Sequence, residues 1–132
     1  MKTEHLEVRY KVWLERGGQV ALSDWRVQLL EEIDSRGSLA EAARHMNVPY
    51  KTAWYKLKEM EKCLGVALLA SASGGPKGGG ATLTEAGQEA VRRYQQLAGG
   101  LDELLMARFA EAFRPRAGKA PRPRRPTPSG SD

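Results

Sequence analysis

Residues 38–65 read SLAEAARHMNVPYKTAWYKLKEMEKCLG, and this stretch decides the fold. Ser38 followed three residues later by Glu41 is a capping box, so a short helix is expected over Leu39–Met46. Its small Ala40, Ala42 and Ala43 permit close approach to a neighbouring helix. Asn47 suits a left-handed cap, Pro49 suits the first position of a second helix over 49–64, and Gly65 ends it. Two short helices joined by a tight Asn-bearing turn make a helix-turn-helix.

On a wheel of about 100° per residue, Ala53, Leu57, Met60 and Leu64 gather on one side of the second helix as a buried stripe. Lys51, Tyr55, Lys58 and Lys62 gather opposite, with Thr52 and Glu59 beside them and Lys56 further round. A lysine face is either an ordinary solvated face or a surface for a polyanion. The preceding Ala-rich helix and the glycine-rich segment that follows favour the second reading. A recognition helix enters the major groove by its N-terminal end, which puts Tyr50, Lys51, Thr52 and Tyr55 nearest the base edges. Lysine there donates to guanine O6 or N7, and threonine hydrogen-bonds or meets a thymine methyl. Arg44, Lys56 and Lys58 are better placed for phosphates, which fix register rather than sequence. Lys62 lies too far along the helix to reach DNA. Trp54, on the edge of the buried stripe, is either an aromatic of the core or wing, or a base contact.

Downstream, the apolar run Val66–Leu69, a tip over Ser71–Gly80 and the extended Ala81–Leu83 read as strand, tip, strand, a wing after the helices. A phosphate-binding P-loop needs Gly-Lys-Ser/Thr opening a helix, whereas Lys77 precedes three glycines and an extended segment. As a wing, Lys77, Gly78 and Gly79 would lie along the minor groove or sugar-phosphate; the bland alternative is a plain flexible hairpin. Thr84 caps a last helix from near Glu85 towards Phe113, which Gly99-Gly100 breaks or bends, since each interior glycine costs ~1 kcal/mol. Ala90, Tyr94, Leu97, Leu101 and Leu104 recur at four- and three-residue steps, and the pattern continues after a slip as Leu105 and Phe109. Tyr94, Leu97, Leu101, Leu104, Leu105 and Phe109 are therefore the expected seam of a homodimer.

Upstream, Leu6, Val8, Tyr10, Val12 and Leu14 alternate with Glu7, Arg9, Lys11, Trp13 and Glu15, the pattern of a half-buried strand. Gly17-Gly18 turns the chain into a short second strand near Gln19–Leu22. Ser23 then caps a helix over 24–36 with Trp25, Leu29, Leu30 and Ile33 on its apolar side, and Gly37 stops it. Asp24, Glu31, Glu32 and Asp34 are read as its solvated face. The expected fold is mainly α with small β: a winged helix-turn-helix over 1–113 with an N-terminal strand and a long C-terminal dimerisation helix. Residues 114–132 hold five of the seven prolines and no large apolar residue, so they read as a disordered basic tail. That tail is either a solvated extension or an arm for polyanions.

The charge supports this division. Six basic residues and one acid in 114–132 account for the whole net charge of +5, leaving 1–113 neutral. Within that body, Arg44–Gly80 carries six basic and two acidic side chains, between two segments that are each net acidic. One basic face for an anionic partner is implied. The single cysteine, Cys63, provides neither an internal disulfide nor a metal set, and no apolar run approaches the ~20 residues of a membrane span. His5 and His45 are isolated and Cys63 has no evident base, so no catalytic constellation, metal site or cofactor is expected. His45 reads as a surface helix residue or a phosphate contact.

Val48-Pro49-Tyr50-Lys51-Thr52-Ala53-Trp54 resembles the ISYKSAW recognition-helix stretch of the ModE family, bacterial molybdate-dependent transcriptional regulators. Gly74–Thr84 resembles that family's wing, GGKGGGGAVLT, and Leu83-Thr84-Glu85-Ala86-Gly87 is similar to the wider LysR-type winged-helix pattern. Gly37-Ser38-Leu39 with Ala42-Ala43 looks like its second helix. The likeness covers roughly residues 20–100. It implies a dimerising DNA-binding domain in which Tyr50, Lys51, Thr52 and Trp54 face DNA. Members of the family continue into molybdate-binding domains with a Ser-Ala-Arg-Asn-type motif, and no stretch of this sequence matches that motif.

The expectation is a sequence-specific transcriptional regulator that binds double-stranded DNA as a homodimer on a pseudo-palindrome. It would act in the cytoplasm at the nucleoid, off the membrane, with any effector sensed by a separate protein. The competing reading is a winged-helix adaptor for protein partners with no operator of its own.

Overall fold

The computed structural model describes residues 1–72 and 80–114. Its elements run β1 (Trp13–Arg16), β2 (Gln19–Ser23), α1 (Asp24–Arg36), α2 (Leu39–His45), α3 (Tyr50–Leu64), β3 (Leu69–Ala72), β4 (Gly80–Leu83), α4 (Glu85–Ala98) and α5 (Leu101–Ala112). The strands form two antiparallel pairs, β1 with β2 and β3 with β4.

Local chemistry accounts for most of these boundaries. The Ser23 hydroxyl accepts from Arg26 N–H at 3.2 Å, that of Ser38 from Glu41 at 3.0 Å and that of Thr84 from Gly87 at 3.0 Å, so each polar cap opens the helix anticipated for it. Asn47 takes φ 58°, the left-handed turn between α2 and α3. Pro49 is the cap of α3 (φ −60°, ψ 144°) rather than its first helical residue. Gly17 and Gly18, at φ 58° and 81°, form the two-residue turn whose twist suits a hairpin.

The core sits around α1, which packs against α2, α3, α4 and β4. Leu29, Leu30 and Ile33 are fully buried, and Leu39, Ala42, Ala43, Ala53, Leu57 and Met60 close over them. The stripe Ala53-Leu57-Met60, with the partly buried Leu64, therefore turns inward as its spacing predicts. Truncating a side chain such as Leu30 to alanine would cost about 2–5 kcal/mol, from lost burial plus the cavity left behind.

Several expectations are corrected. The N-terminal strand is shorter than Leu6–Glu15: Trp13 pairs with Ser23, the last residue of β2, so nothing on β2 remains to pair with residues 6–12. The alternation there instead records half-burial of Val8, Tyr10 and Val12, with Leu6 and Leu14 left exposed. In the wing, Val66 and Ala67 are exposed, Leu68 is fully buried, and β3 begins only at Leu69, because its partner Leu83 is the last residue of β4.

The expected break at Gly99-Gly100 is present: the C-terminal helical stretch reaches Ala112 as two helices. Gly99 is extended (φ −64°, ψ 133°) and Gly100 is left-handed (φ 84°), which interrupts the hydrogen-bond ladder. The acids of α1 are also more than a solvated face. Asp34 accepts from the Leu83 N–H, Glu31 from the Gln95 amide and Asp24 from the Tyr94 hydroxyl, each satisfying a donor on β4 or α4. The tail, apart from Arg114, lies outside the described residues.

Candidate nucleic-acid interface

Helix α3 is held by its apolar stripe and by two polar ties. Arg26, buried in α1, reaches Glu59 at 3.2 Å. Glu61 accepts from the Leu68 N–H at 2.8 Å and lies 3.3 Å from the Lys58 ammonium. These ties fix both the tilt of α3 and its rotation about its own axis, and hence which side chains face away from the core.

Those side chains are Tyr50, Lys51, Trp54, Tyr55 and Lys58, all exposed, with Tyr50 at 54% and Tyr55 at 53% of full accessibility. The Lys51 ammonium stands 5.9 Å from the centre of the Tyr55 ring, and that of Lys58 stands 5.6 Å from Trp54. The Trp54 and Tyr55 rings meet edge to face at 5.3 Å. Trp54, at 39% exposure, belongs to this outer surface and not to the core. Cations laid over aromatic faces hold their ammonium groups at the surface without burying them. An exposed face of hydrogen-bonding rings and ammonium groups has donors for base edges and phosphates alike.

Around it, Thr52 and Lys56 are half-buried and Lys62 is exposed. Arg44 is largely exposed at the end of α2 and pairs with Glu41 at 3.1 Å. His45 is exposed at the end of α2, as expected, but is not isolated: its Nδ1 lies 2.8 Å from Glu32, which also accepts from Arg36 at 2.6 Å. The hydrogen bond from Arg36, aided by the charge of His45, holds the Glu32 carboxyl below the usual carboxylate range. Cys63 is half-buried, its thiol 3.6 Å from the Val20 carbonyl. Lys77, Gly78 and Gly79 lie outside the described residues.

The base of the wing is firmly placed. Ala81 N–H donates to the Gly37 carbonyl at 2.8 Å and Thr84 N–H to the Leu68 carbonyl at 2.9 Å, while the Thr84 hydroxyl donates to Ala67 at 2.7 Å. Gly87 is needed there because a Cβ would collide with the Leu68 carbonyl oxygen and press on Leu83. These contacts seat the wing beside the C-terminus of α1, whatever its tip does.

The expected dimer seam divides. Tyr94, at 3% exposure, belongs to the core of its own domain, its hydroxyl meeting Asp24 and the Val12 carbonyl. Leu97 and Leu104 are exposed, whereas Leu101, Leu105 and Phe109 are half-buried; no residue of α5 is buried. Sequence periodicity missed the Arg26–Glu59 and Glu32–His45 ties, since nothing local marks which charges meet across helices.

Among the described residues no group of His, Cys, Asp or Glu could hold a metal ion, and no helix is long and apolar enough to cross a membrane.

Residues 26–88 match the family model described as bacterial regulatory helix-turn-helix protein, lysR family. The molybdenum-pterin-binding protein MopB of Rhodobacter capsulatus is 38% identical over 94 residues, which is 71% of this chain and 34% of that protein. The DNA-binding transcriptional dual regulator ModE of Escherichia coli K12 is 38% identical over 73 residues, 55% of this chain and 28% of that protein. The chain thus spans about a third of the length of these relatives. Among solved structures, the CbnR DNA-binding domain in complex with DNA superposes with a TM-score of 0.53 at 26% identity, covering 66% of this chain and 98% of that one. VV2_1132, a LysR family transcriptional regulator, shares the fold at a TM-score of 0.53 and 23% identity, over 69% of this chain and 29% of that one.

Proposed function

From a LysR-type helix-turn-helix over residues 26–88, homologous to the ModE and Mop proteins, we propose a sequence-specific transcriptional regulator that binds double-stranded DNA. The observation that carries this reading is the outward face of α3, where Tyr50, Lys51, Trp54, Tyr55 and Lys58 stand opposite the buried Ala53, Leu57 and Met60. The N-terminal end of α3 enters the major groove, with Tyr50, Lys51, Thr52 and Tyr55 at base edges and Trp54 beside them. Arg44, Lys56 and Lys58 hold phosphates, the first and last by exchanging Glu41 and Glu61 for the DNA backbone. Lys77, Gly78 and Gly79 follow the adjacent minor groove.

The unit over 1–113 binds as a homodimer, with Leu97, Leu101, Leu104, Leu105 and Phe109 contributing the shared apolar surface. Two recognition helices then stand about 34 Å apart on a pseudo-palindrome. Residues 114–132 act as a basic arm, adding affinity for any duplex. The protein works at the nucleoid in the cytoplasm, and its effector is sensed by a separate protein.

The test is selection of bound fragments from random duplex DNA by the purified chain, with and without molybdate, followed by titration in rising salt. Recovery of a two-fold motif supports the reading, with log K falling by about 0.9 per phosphate contacted. Absence of enrichment and a flat salt response would instead identify a protein adaptor.

A further inference from the structure

One side chain on the outer face of α3 differs in kind from the rest. Tyr50, Lys51, Tyr55 and Lys58 each end in a hydroxyl or an ammonium. The Trp54 indole, midway along the same face, is a broad apolar surface with one N–H donor and no acceptor. Its neighbours in the sequence, Ala53 and Leu57, are buried, while the ring itself stays 39% exposed. Apolar surface left in water is a source of binding energy for whatever covers it.

Two contacts keep the ring at the surface. It meets the Tyr55 ring edge to face at 5.3 Å, and the Lys58 ammonium stands 5.6 Å from its centre. A side chain held from two sides loses little rotamer freedom when a ligand packs on it, so more of the contact energy reaches the affinity.

A duplex offers few matches to such a surface. Phosphates and the O6, N7, N6 and N4 groups of the bases are hydrogen-bonding, and the apolar feature of the major groove is the thymine 5-methyl. We propose that Trp54 reads thymine by packing its indole on that methyl, a specificity contact different in kind from the hydrogen bonds of Lys51. This contact presupposes the proposed DNA-reading role of α3 and adds a second base to it. Lys51 and Trp54 are three residues apart, about 4.5 Å along the helix axis. At about 3.4 Å per base-pair step, the thymine lies within two steps of the pair that Lys51 meets.

The test takes the duplex selected by the full chain and replaces its thymines one at a time with deoxyuridine, which keeps every hydrogen-bonding group and removes only the methyl. The wild-type chain should lose about fourfold at one or two positions per half-site, the worth of one methyl-sized group taken out of water. Trp54→Ala should bind the selected duplex more weakly and be indifferent to uracil at those positions. Trp54→Phe keeps an apolar ring without the N–H and should retain the sensitivity. The wild-type scan needs no variant, so it decides even where alanine disturbs the fold. Full affinity at every uracil would overturn the thymine contact. So would a Trp54→Ala chain that still senses the methyl, which would pass the contact to Thr52 or a tyrosine. Loss of sensitivity in Trp54→Phe would overturn it too, assigning the N–H instead. In each of those results the regulator reading stands; a chain that enriches no duplex would remove that reading and the thymine contact together.

Discussion

Replacing Lys51 with alanine separates base reading from simple attraction to DNA. Lys51 is exposed in the first turn of α3, with its ammonium over the Tyr55 ring and its backbone in a helix whose grip is Ala53, Leu57 and Met60. Losing an exposed cation–π contact costs about 0.5–1 kcal/mol, and alanine is the best helix former, so the fold should melt within a few degrees of wild type. If Lys51 donates to a guanine edge, binding to the selected site should weaken by about 1–3 kcal/mol, a factor of roughly 5 to 150. Binding to random duplex should lose only one cation's share. Fluorescence anisotropy on both duplexes, with circular dichroism melting as the control, measures the two effects. Lys77→Ala is the counterpart and should weaken binding to every sequence alike. Equal losses on selected and random DNA for Lys51→Ala would refute the assignment of base reading to α3.

Other consequences concern stability and the tail. Gly87→Ala forces a methyl against the Leu68 carbonyl, which the wing base also uses, so a loss of about 1–3 kcal/mol and a lower melting temperature are expected. Glu32 has its folded pKa depressed, chiefly by Arg36. Its contribution is therefore present above the unfolded carboxylate range and fades as pH falls through the lower folded value. Glu32→Gln should flatten that part of the acid limb in denaturant melts, and an unchanged limb would dismiss the tie. Deleting residues 114–132 should leave the thermal transition in place while reducing non-specific affinity and its salt slope; an unfolded truncation would contradict the domain boundary.

Helix starts were legible because a cap is a local transaction. Ser23, Ser38 and Thr84 each satisfy a backbone donor three residues on, and no distant part of the chain is needed for that. The two sides of α3 were legible for a similar reason, since 3.6 residues per turn sorts Ala53, Leu57 and Met60 from Lys51, Tyr55 and Lys58 before anything packs. Motif likeness carried further than periodicity for Trp54, which the wheel left on the border and the structure leaves at the surface.

What remained depended on partners distant in sequence. The pattern of residues 6–15 favours a strand, but its length was decided by where β2 ends and α1 begins. Tyr94 fits a heptad seam as well as Leu97 does, yet a carboxylate on α1 and a carbonyl at Val12 draw its hydroxyl inward. Arg26 and Glu59 stand 33 residues apart, and only the packing of α1 on α3 brings them together. Periodicity and capping are properties of neighbours along the chain, so the sequence determined the helices, their faces and the wing. Burial and charge pairing are properties of neighbours in space, so tertiary structure alone decided which polar groups became ties and which apolar ones stayed at the surface.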